Sequence, residues 1–162
     1  MNELKLLHAL ESNARLKVAD LADILMEKEA DVRKTKEQLE ADKVICGYHT
    51  VINWDKTSDE RGSAIIEVSA KPEREHGYDK VAESIAKYPE VSSLYLISGK
   101  SEFMVFVDGK TMKQVADFVA QKLAPIEGVT ATVTSFILKP YKVEGVDLVL
   151  EKKEDDRLIV TP

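Results

Sequence analysis

One cysteine and three histidines in 162 residues leave little room for several kinds of chemistry. Cys46 has no partner for an internal disulfide, and the scattered His8, His49 and His76 offer no metal-ligand spacing. Ser92, Ser93 and Ser98 lack the His and Asp companions that nucleophilic catalysis requires. No glycine-rich phosphate loop occurs. These shortages predict no metal, no cofactor and no catalytic residue, and the chain reads as a non-enzyme. Long apolar runs are missing too, since none approaches the roughly 20 residues needed to cross a bilayer. The opening MNELKLLHALES alternates charged and apolar residues where a secretory signal would carry an apolar block. A cytoplasmic protein without a membrane partner is expected.

A surplus of positive charge is also lacking. The net charge is −6; residues 1–50 hold 8 Lys/Arg against 10 Asp/Glu, and residues 61–140 hold 10 of each. Indiscriminate binding of nucleic acid needs a basic surface. Any such face here must be local, or multiplied by oligomerisation.

What is present is periodicity. Leu4, Leu7 and Leu10 predict a first helix over 2–12, with His8 and Glu11 outside. Val18, Leu21, Ala22 and Leu25 predict a second. Val32 and Leu39 organise a third, from about Lys28 to Asp42, whose outer face carries Arg33, Lys34 and Lys36. Two short helices joined by a brief turn, the second longer and partly basic, are what a helix-turn-helix requires. VICGYHTVIN then reads as extended, with Val44, Ile45, Val51 and Ile52 available to cover the bundle. Residues 53–62 (NWDKTSDERG) are polar and turn-rich, and mark a linker.

Beyond the linker, Ala64, Ile66, Val68 and Ala70 alternate against Ile65, Glu67 and Ser69, as in a half-buried strand. Tyr78, Val81, Ala82, Ile85 and Tyr88 form a helical stripe stopped by Pro89. Val91–Ser98 and Phe103–Val107 predict a hairpin around Gly99-Lys100-Ser101. Asp108-Gly109-Lys110 reads as the turn into a helix bearing Met112, Val115, Ala116, Val119 and Leu123, and Val129–Leu138 as a last strand. The order is β-α-β-β-α-β, a ferredoxin-like module. The expected class is α+β: a (winged) helix-turn-helix domain over 1–52, a linker over 53–62, a ferredoxin-like domain over 63–140 and a charged tail over 141–162. Helices on one side of such a sheet leave its other side, including Ile65, for a subunit contact. Whether the tail swings free or adds an edge strand is open.

On charge alone, Arg33, Lys34 and Lys36 face either phosphates or only water, with Glu29, Asp31, Glu37 and Glu40 as helical neighbours. Thr35 and Gln38 could read bases. Lys28 is a poor helix cap because it accepts no hydrogen bond. Only the stem of Lys36 can be buried.

Several short runs recur together: Asn13-Ala14-Arg15, Leu21-Ala22, Val32-Arg33, Leu39-Glu40 and Val44-Ile45-Cys46-Gly47-Tyr48, then Pro89-Glu90-Val91, Gly99 with Glu102, Gly128-Val129 and Ile137-Leu138-Lys139. In this order and spacing, over roughly residues 2–142, the chain resembles the Lrp/AsnC family of transcriptional regulators. The resemblance implies double-stranded DNA as partner, met by the third helix through Lys28, Arg33, Lys34, Thr35, Lys36 and Gln38. It implies a homodimer, and further tetramers or octamers, built through the ferredoxin-like domains. It also implies a small effector between those domains, most often an amino acid, contacted by Ser98, Gly99 and Glu102 with help from Ser135. A carboxylate suits an α-ammonium group, and open hairpin N–H groups suit a carboxylate. The alternative is a sensing or assembly module with weakened DNA binding, favoured by the acidic first 50 residues. An enzyme like the sirohaem decarboxylases that share this architecture would need His or Arg groups around a large pocket, which the scattered histidines do not supply.

Overall fold

The computed structural model describes residues 2–59, 61–74 and 76–149. The chain passes from one compact unit to a second between Thr50 and Val51. The first unit is three helices: α1 (Glu3–Ser12), α2 (Val18–Leu25) and α3 (Glu29–Ala41). Their buried stripes are Leu6 and Leu10, Leu21 and Ala22, and Val32 and Leu39, which together form one cluster. The stripe expected on α1 needs correction. Leu6 replaces Leu4, which is exposed. Residues advance about 100° each around a helix, so Leu4 stands on the far side from Leu6, while Leu10 lies one turn below it.

The helix ends follow local chemistry. Asn2 Oδ1 accepts from Lys5 N–H at 3.3 Å, and the Asp20 carboxylate accepts from Lys17 N–H at 3.1 Å. Lys28 precedes α3 and makes no side-chain cap bond. Glu29 and Asp31 in the first turn meet the helix dipole instead. Met26, between α2 and α3, and Lys43, after α3, both adopt left-handed backbone, at φ 54° and 59°. That conformation costs an ordinary residue about 1–2 kcal/mol. Lys43→Gly is therefore expected to stabilise the first unit by roughly 0.5 kcal/mol, after the greater chain entropy of unfolded glycine is deducted. Chemical denaturation of the two proteins checks this; a drop in the midpoint would show that relief of the backbone does not dominate.

The stretch expected to be extended and to cover the bundle does so only in part. Ile45 packs on the helical cluster, whereas Val44 and Ile52 are exposed. Residues 46–53 pair with no strand among the described residues.

The second unit carries β1 (Gly62–Ala70), α4 (Asp79–Ala86), β2 (Val91–Leu96), β3 (Phe103–Lys110), α5 (Met112–Phe118) and β4 (Val129–Ile137). The four strands lie in the order β2-β3-β1-β4, every neighbouring pair antiparallel. This is the β-α-β-β-α-β arrangement expected from the periodicities. Ala64, Ile66, Val68, Phe103, Val105 and Val107 face Val81, Ile85, Val115, Phe118 and Leu123, so both helices cover the same side of the sheet.

β2 ends at Leu96 and β4 at Ile137, a little short of expectation, and the boundary between β3 and α5 differs more. Asp108-Gly109-Lys110 is not a turn: β3 runs through Lys110, which pairs with Gly62 across a register shift. The helix begins after Thr111, whose hydroxyl accepts from Gln114 N–H while the Gln114 side chain accepts from Thr111 N–H. That reciprocal cap outweighs the turn preference of Asp-Gly. The helix closes with one π-helical turn over Val119–Leu123, which keeps Leu123 in the core.

Part of the expected tail forms a small hairpin, β5 (Lys142–Val143) with β6 (Val146–Asp147). Its turn residues Glu144 and Gly145 both have positive φ, which is the two-residue turn that matches strand twist. Asn53 Nδ2 donates to Leu148 O at 3.0 Å, tying the linker to this tail. Residues 150–162 lie outside the described residues.

The candidate recognition helix and effector hairpin

Helix α3 is held by Val32 and Leu39, seven residues apart and both buried. This leaves Arg33 and Lys34 fully outward. Thr35 is half-buried. A groove of about 480 Å³ runs alongside, lined by Lys34, Thr35 and Gln38 with Asp31 and Asp42. Lys34, Thr35 and Gln38 therefore share one side of the helix, whereas exposed Arg33 projects from another part of its outer surface, and Lys28 stands at the helix start. Gln38 Nε2 donates to Asp42 Oδ2 at 2.9 Å, one turn further on.

Lys36 is placed differently. Its ammonium donates to Glu40 Oε1 at 2.7 Å and lies 5.1 Å from the centre of the Tyr48 ring. The Tyr48 hydroxyl donates to the same Glu40 oxygen at 2.8 Å. The Glu40 hydrogen bond holds the Lys36 pKa above its ordinary value, against the opposing pull of burial. The bonds from Lys36 and Tyr48 hold the Glu40 carboxyl below the usual carboxylate range. Burial, then the bond to Glu40, pushes the Tyr48 phenol up. The i,i+4 spacing of Lys36 and Glu40 is visible in the sequence. Tyr48, eight residues beyond Glu40 and past the helix end, carries no such signal.

The residues expected to meet an effector do not gather in one place. Ser98 and Gly99 are exposed in the loop joining β2 to β3. Glu102 opens that hairpin's second arm, and its Oε2 accepts from Ala70 N–H at 2.8 Å. Its backbone accepts from Ile97 N–H at 2.8 Å and donates to Val68 O at 3.2 Å. One carboxylate oxygen thus binds the end of β1, beyond Val68 and Phe103, the last pair of the β1–β3 ladder. Ser101 is buried beside it, with its hydroxyl 3.4 Å from Glu67 Oε2. Sequence reasoning missed that pair, because only the strand register brings it together. Ser135 lies on β4 opposite Ile65, across β1 from β3. Three residues of strand, about 10 Å, separate its level from that of the hairpin.

Ser135 shares the uncovered side of the sheet with Ile65, Tyr95, Met104, Phe106, Val133 and Ile137, which pair across the strands outside the core pairs Ala64–Val107, Ile66–Val105 and Val68–Phe103. Tyr95 and Phe106 meet edge to face, 6.0 Å between centres. Glu67 sits among them between Met104 and Val133. The expected apolar second face is thus present, with one carboxylate inside it.

Comparison with known proteins matches this architecture. The family model for the Lrp/AsnC ligand binding domain matches residues 63–147. The chain is 38% identical to the uncharacterized HTH-type transcriptional regulator YugG of Bacillus subtilis, over 99% of this chain and 96% of that protein. It is 31% identical to the HTH-type transcriptional regulator LrpA of Pyrococcus abyssi, over 85% of this chain and 94% of that one. Among solved structures, a feast or famine regulatory protein from M. tuberculosis complexed with L-methionine aligns with a TM-score of 0.70 at 19% identity. It covers 90% of this chain and 96% of its own. A transcriptional regulator from Neisseria meningitidis, in complex with L-Met, aligns at 0.65 and 23%, over 87% and 90%. At these identities the two structures speak to the fold. The matched domain, the full-length likeness to YugG and the helix-turn-helix joined to a β-α-β-β-α-β unit together place this chain in the Lrp/AsnC family.

Proposed function

We propose that the protein is a DNA-binding transcriptional regulator whose promoter binding and assembly respond to an amino acid or similar small metabolite. The observation that carries this reading is the full-length likeness to HTH-type transcriptional regulators, with Lys34, Thr35 and Gln38 along one groove of α3 and Arg33 exposed beside them. In this reading Arg33 and Lys34 pair with phosphates, and Thr35 and Gln38 reach base edges in the major groove. Lys28 adds a cation at the helix start, and Lys36 is within a side chain's reach of the same backbone. Residues 1–52 form the DNA-binding domain, 53–62 the linker, and 63–140 the effector-binding and oligomerising domain. The uncovered apolar side of the sheet supports a homodimer, with tetramers or octamers beyond it.

Two structural relatives were crystallised with methionine, which supports an amino-acid effector here. Ser98 and Gly99 offer backbone N–H groups to its carboxylate, and the Glu102 carboxylate suits its ammonium. Ser135 stands one strand away from that hairpin, so a second subunit would have to supply it. An interfacial ligand of this kind shifts the population toward whichever assembly completes its pocket. The protein acts in the cytoplasm and is not an enzyme. A second reading, a sensing module with weakened DNA binding, is favoured by the −2 balance of residues 1–50 and by the pairing of Lys36 with Glu40.

Fluorescence anisotropy on DNA from the protein's own upstream region tests the reading, at two salt concentrations, with and without methionine or a pool of the twenty amino acids. Binding that is salt-sensitive and moves with the pool is expected. A folded oligomer that leaves the DNA unbound at low salt would replace the regulator with the sensing module.

A further inference from the structure

The third cation on α3 differs from its neighbours in what surrounds it. Arg33 and Lys34 extend into solvent. The Lys36 side chain is 25% exposed and its ammonium is 2.7 Å from Glu40 Oε1. Glu40 is shared: the Tyr48 hydroxyl occupies the same oxygen at 2.8 Å, and the Tyr48 ring lies beside the ammonium. The three groups close a ring of contacts, two from α3 and one from the segment that leaves it. Lys43 turns the chain at positive φ, and Cys46 Sγ bonds back to Lys43 O at 3.0 Å, so Tyr48 folds back along the helix.

From this geometry, and resting on the DNA-binding reading above, we propose that Glu40 is a restraining residue. With Tyr48 it holds the Lys36 ammonium against the protein and withholds it from the DNA backbone, so that α3 meets phosphate with two cations rather than three. Lys36 is thereby a positioning residue, which fixes residues 46–48 along the recognition helix through Glu40 and Tyr48.

Several features support this. A charge-assisted pair at 2.7 Å satisfies the ammonium, and the flanking ring adds attraction for it. The carboxyl of Glu40, held low by its two donors, stays ionised across the neutral range and keeps its hold. Moving Lys36 to a phosphate would leave the half-buried Glu40 with only Tyr48 and bring its negative charge toward the DNA. The alternative, a plain exposed i,i+4 pair of small consequence, does not involve a third residue from outside the helix.

The test combines titration with DNA binding. In the free protein, the Glu40 side-chain carboxyl is followed by NMR against pH. It is expected to titrate below the ordinary glutamate range, and to rise toward that range in Lys36→Met and in Tyr48→Phe. An ordinary value in the unaltered protein, or no rise in either variant, overturns the clasp without reference to DNA. Binding is then measured against salt for the unaltered protein, Glu40→Gln, Lys36→Met and the double variant, with helical circular dichroism confirming that each is folded.

Glu40→Gln is expected to tighten binding at low salt and to steepen the log–log salt slope by about 0.9, the effect of one added phosphate contact. That contact weakens by about threefold between 50 and 200 mM salt. Lys36→Met alone is expected to keep the original slope. In its background Glu40→Gln is expected to bring no steepening, which separates release of Lys36 from mere removal of a negative charge. A slope unchanged in Glu40→Gln, beside a tightly binding unaltered protein, would overturn the withholding of Lys36 and leave the regulator reading intact. So would a slope about 0.9 flatter in Lys36→Met. Absence of DNA binding by every variant would remove the regulator reading and this proposal with it.

Discussion

Phe106→Asp is expected to convert the proposed homodimer to monomers while leaving the second unit folded. Phe106 lies on β3 opposite Ile65 of β1 and Ser93 of β2, on the side of the sheet away from both helices. Its side chain is half-exposed in the single chain, so its removal opens no cavity among Ile66, Val105 and their helical partners. The fold loses its edge-to-face contact with Tyr95, on the order of 1 kcal/mol. Association loses far more. A second carboxylate on this face beside Glu67, and without the Ser101 hydroxyl that Glu67 meets, must be dehydrated whenever a second subunit covers the face, at a cost of several kcal/mol per ion. In a twofold contact the change is made twice. Each 1.4 kcal/mol is tenfold in the dissociation constant, so a loss of at least a thousandfold is expected. Analytical ultracentrifugation across a concentration series would measure it. A dimer of unchanged affinity would place the subunit contact elsewhere, and circular dichroism of the variant would show whether the fold survived.

The second large effect is expected at Gly128, between α5 and β4. Its φ is +91°, and a Cβ added there would sit 2.9 Å from Val81 Cγ2. Val81 is buried on α4 and cannot yield, because it packs against the sheet. The carbonyl of Gly128 also accepts from Lys71 N–H at 2.9 Å, which pins the backbone at this turn. Gly128→Ala therefore meets two separate penalties. The left-handed backbone costs about 1–2 kcal/mol, and overpacking against Val81 costs about 1–3 kcal/mol. Together they are expected to lower the thermal midpoint by roughly 10 °C or more, given some 4–8 °C per kcal/mol for a domain of this size. Adding Val81→Ala should return only the steric part, so the pair should be non-additive. A midpoint within about 2 °C of the unaltered protein would contradict the close packing of this turn.

Much of the architecture could be read from the chain because the signals were local. Strict alternation from Ala64 to Ala70 selected the buried side of β1, and helical spacing selected Val81, Ile85, Val115 and Leu123, although Met112 and Ala116 of the expected stripe are exposed. Val32 and Leu39 oriented α3 in the same way, so the outward positions of Arg33 and Lys34 followed before any coordinates. The short α1 was harder. Several leucines crowd one stretch, and only packing against α2 and α3 chose Leu6 over Leu4. The Asp-Gly pair at 108–109 misled for a similar reason: pairing of Lys110 with Gly62 and the Thr111 cap extended the strand through a local turn signal.

The candidate site divides along the same line. Residue type and spacing singled out the cations of α3, whereas the hairpin residues and Glu102 entered only through the resemblance to the Lrp/AsnC family. By itself the sequence determined the two kinds of unit, their element order and the faces that are apolar, since burial periodicity is written along the chain. Only the tertiary structure decided the relations between elements. It joined Tyr48 to Glu40 and Lys36, spent one oxygen of Glu102 on Ala70, and set Ser135 a strand away from the hairpin. Contacts of that kind depend on strand register and on where a turn sends the chain, and neither leaves a period in the sequence.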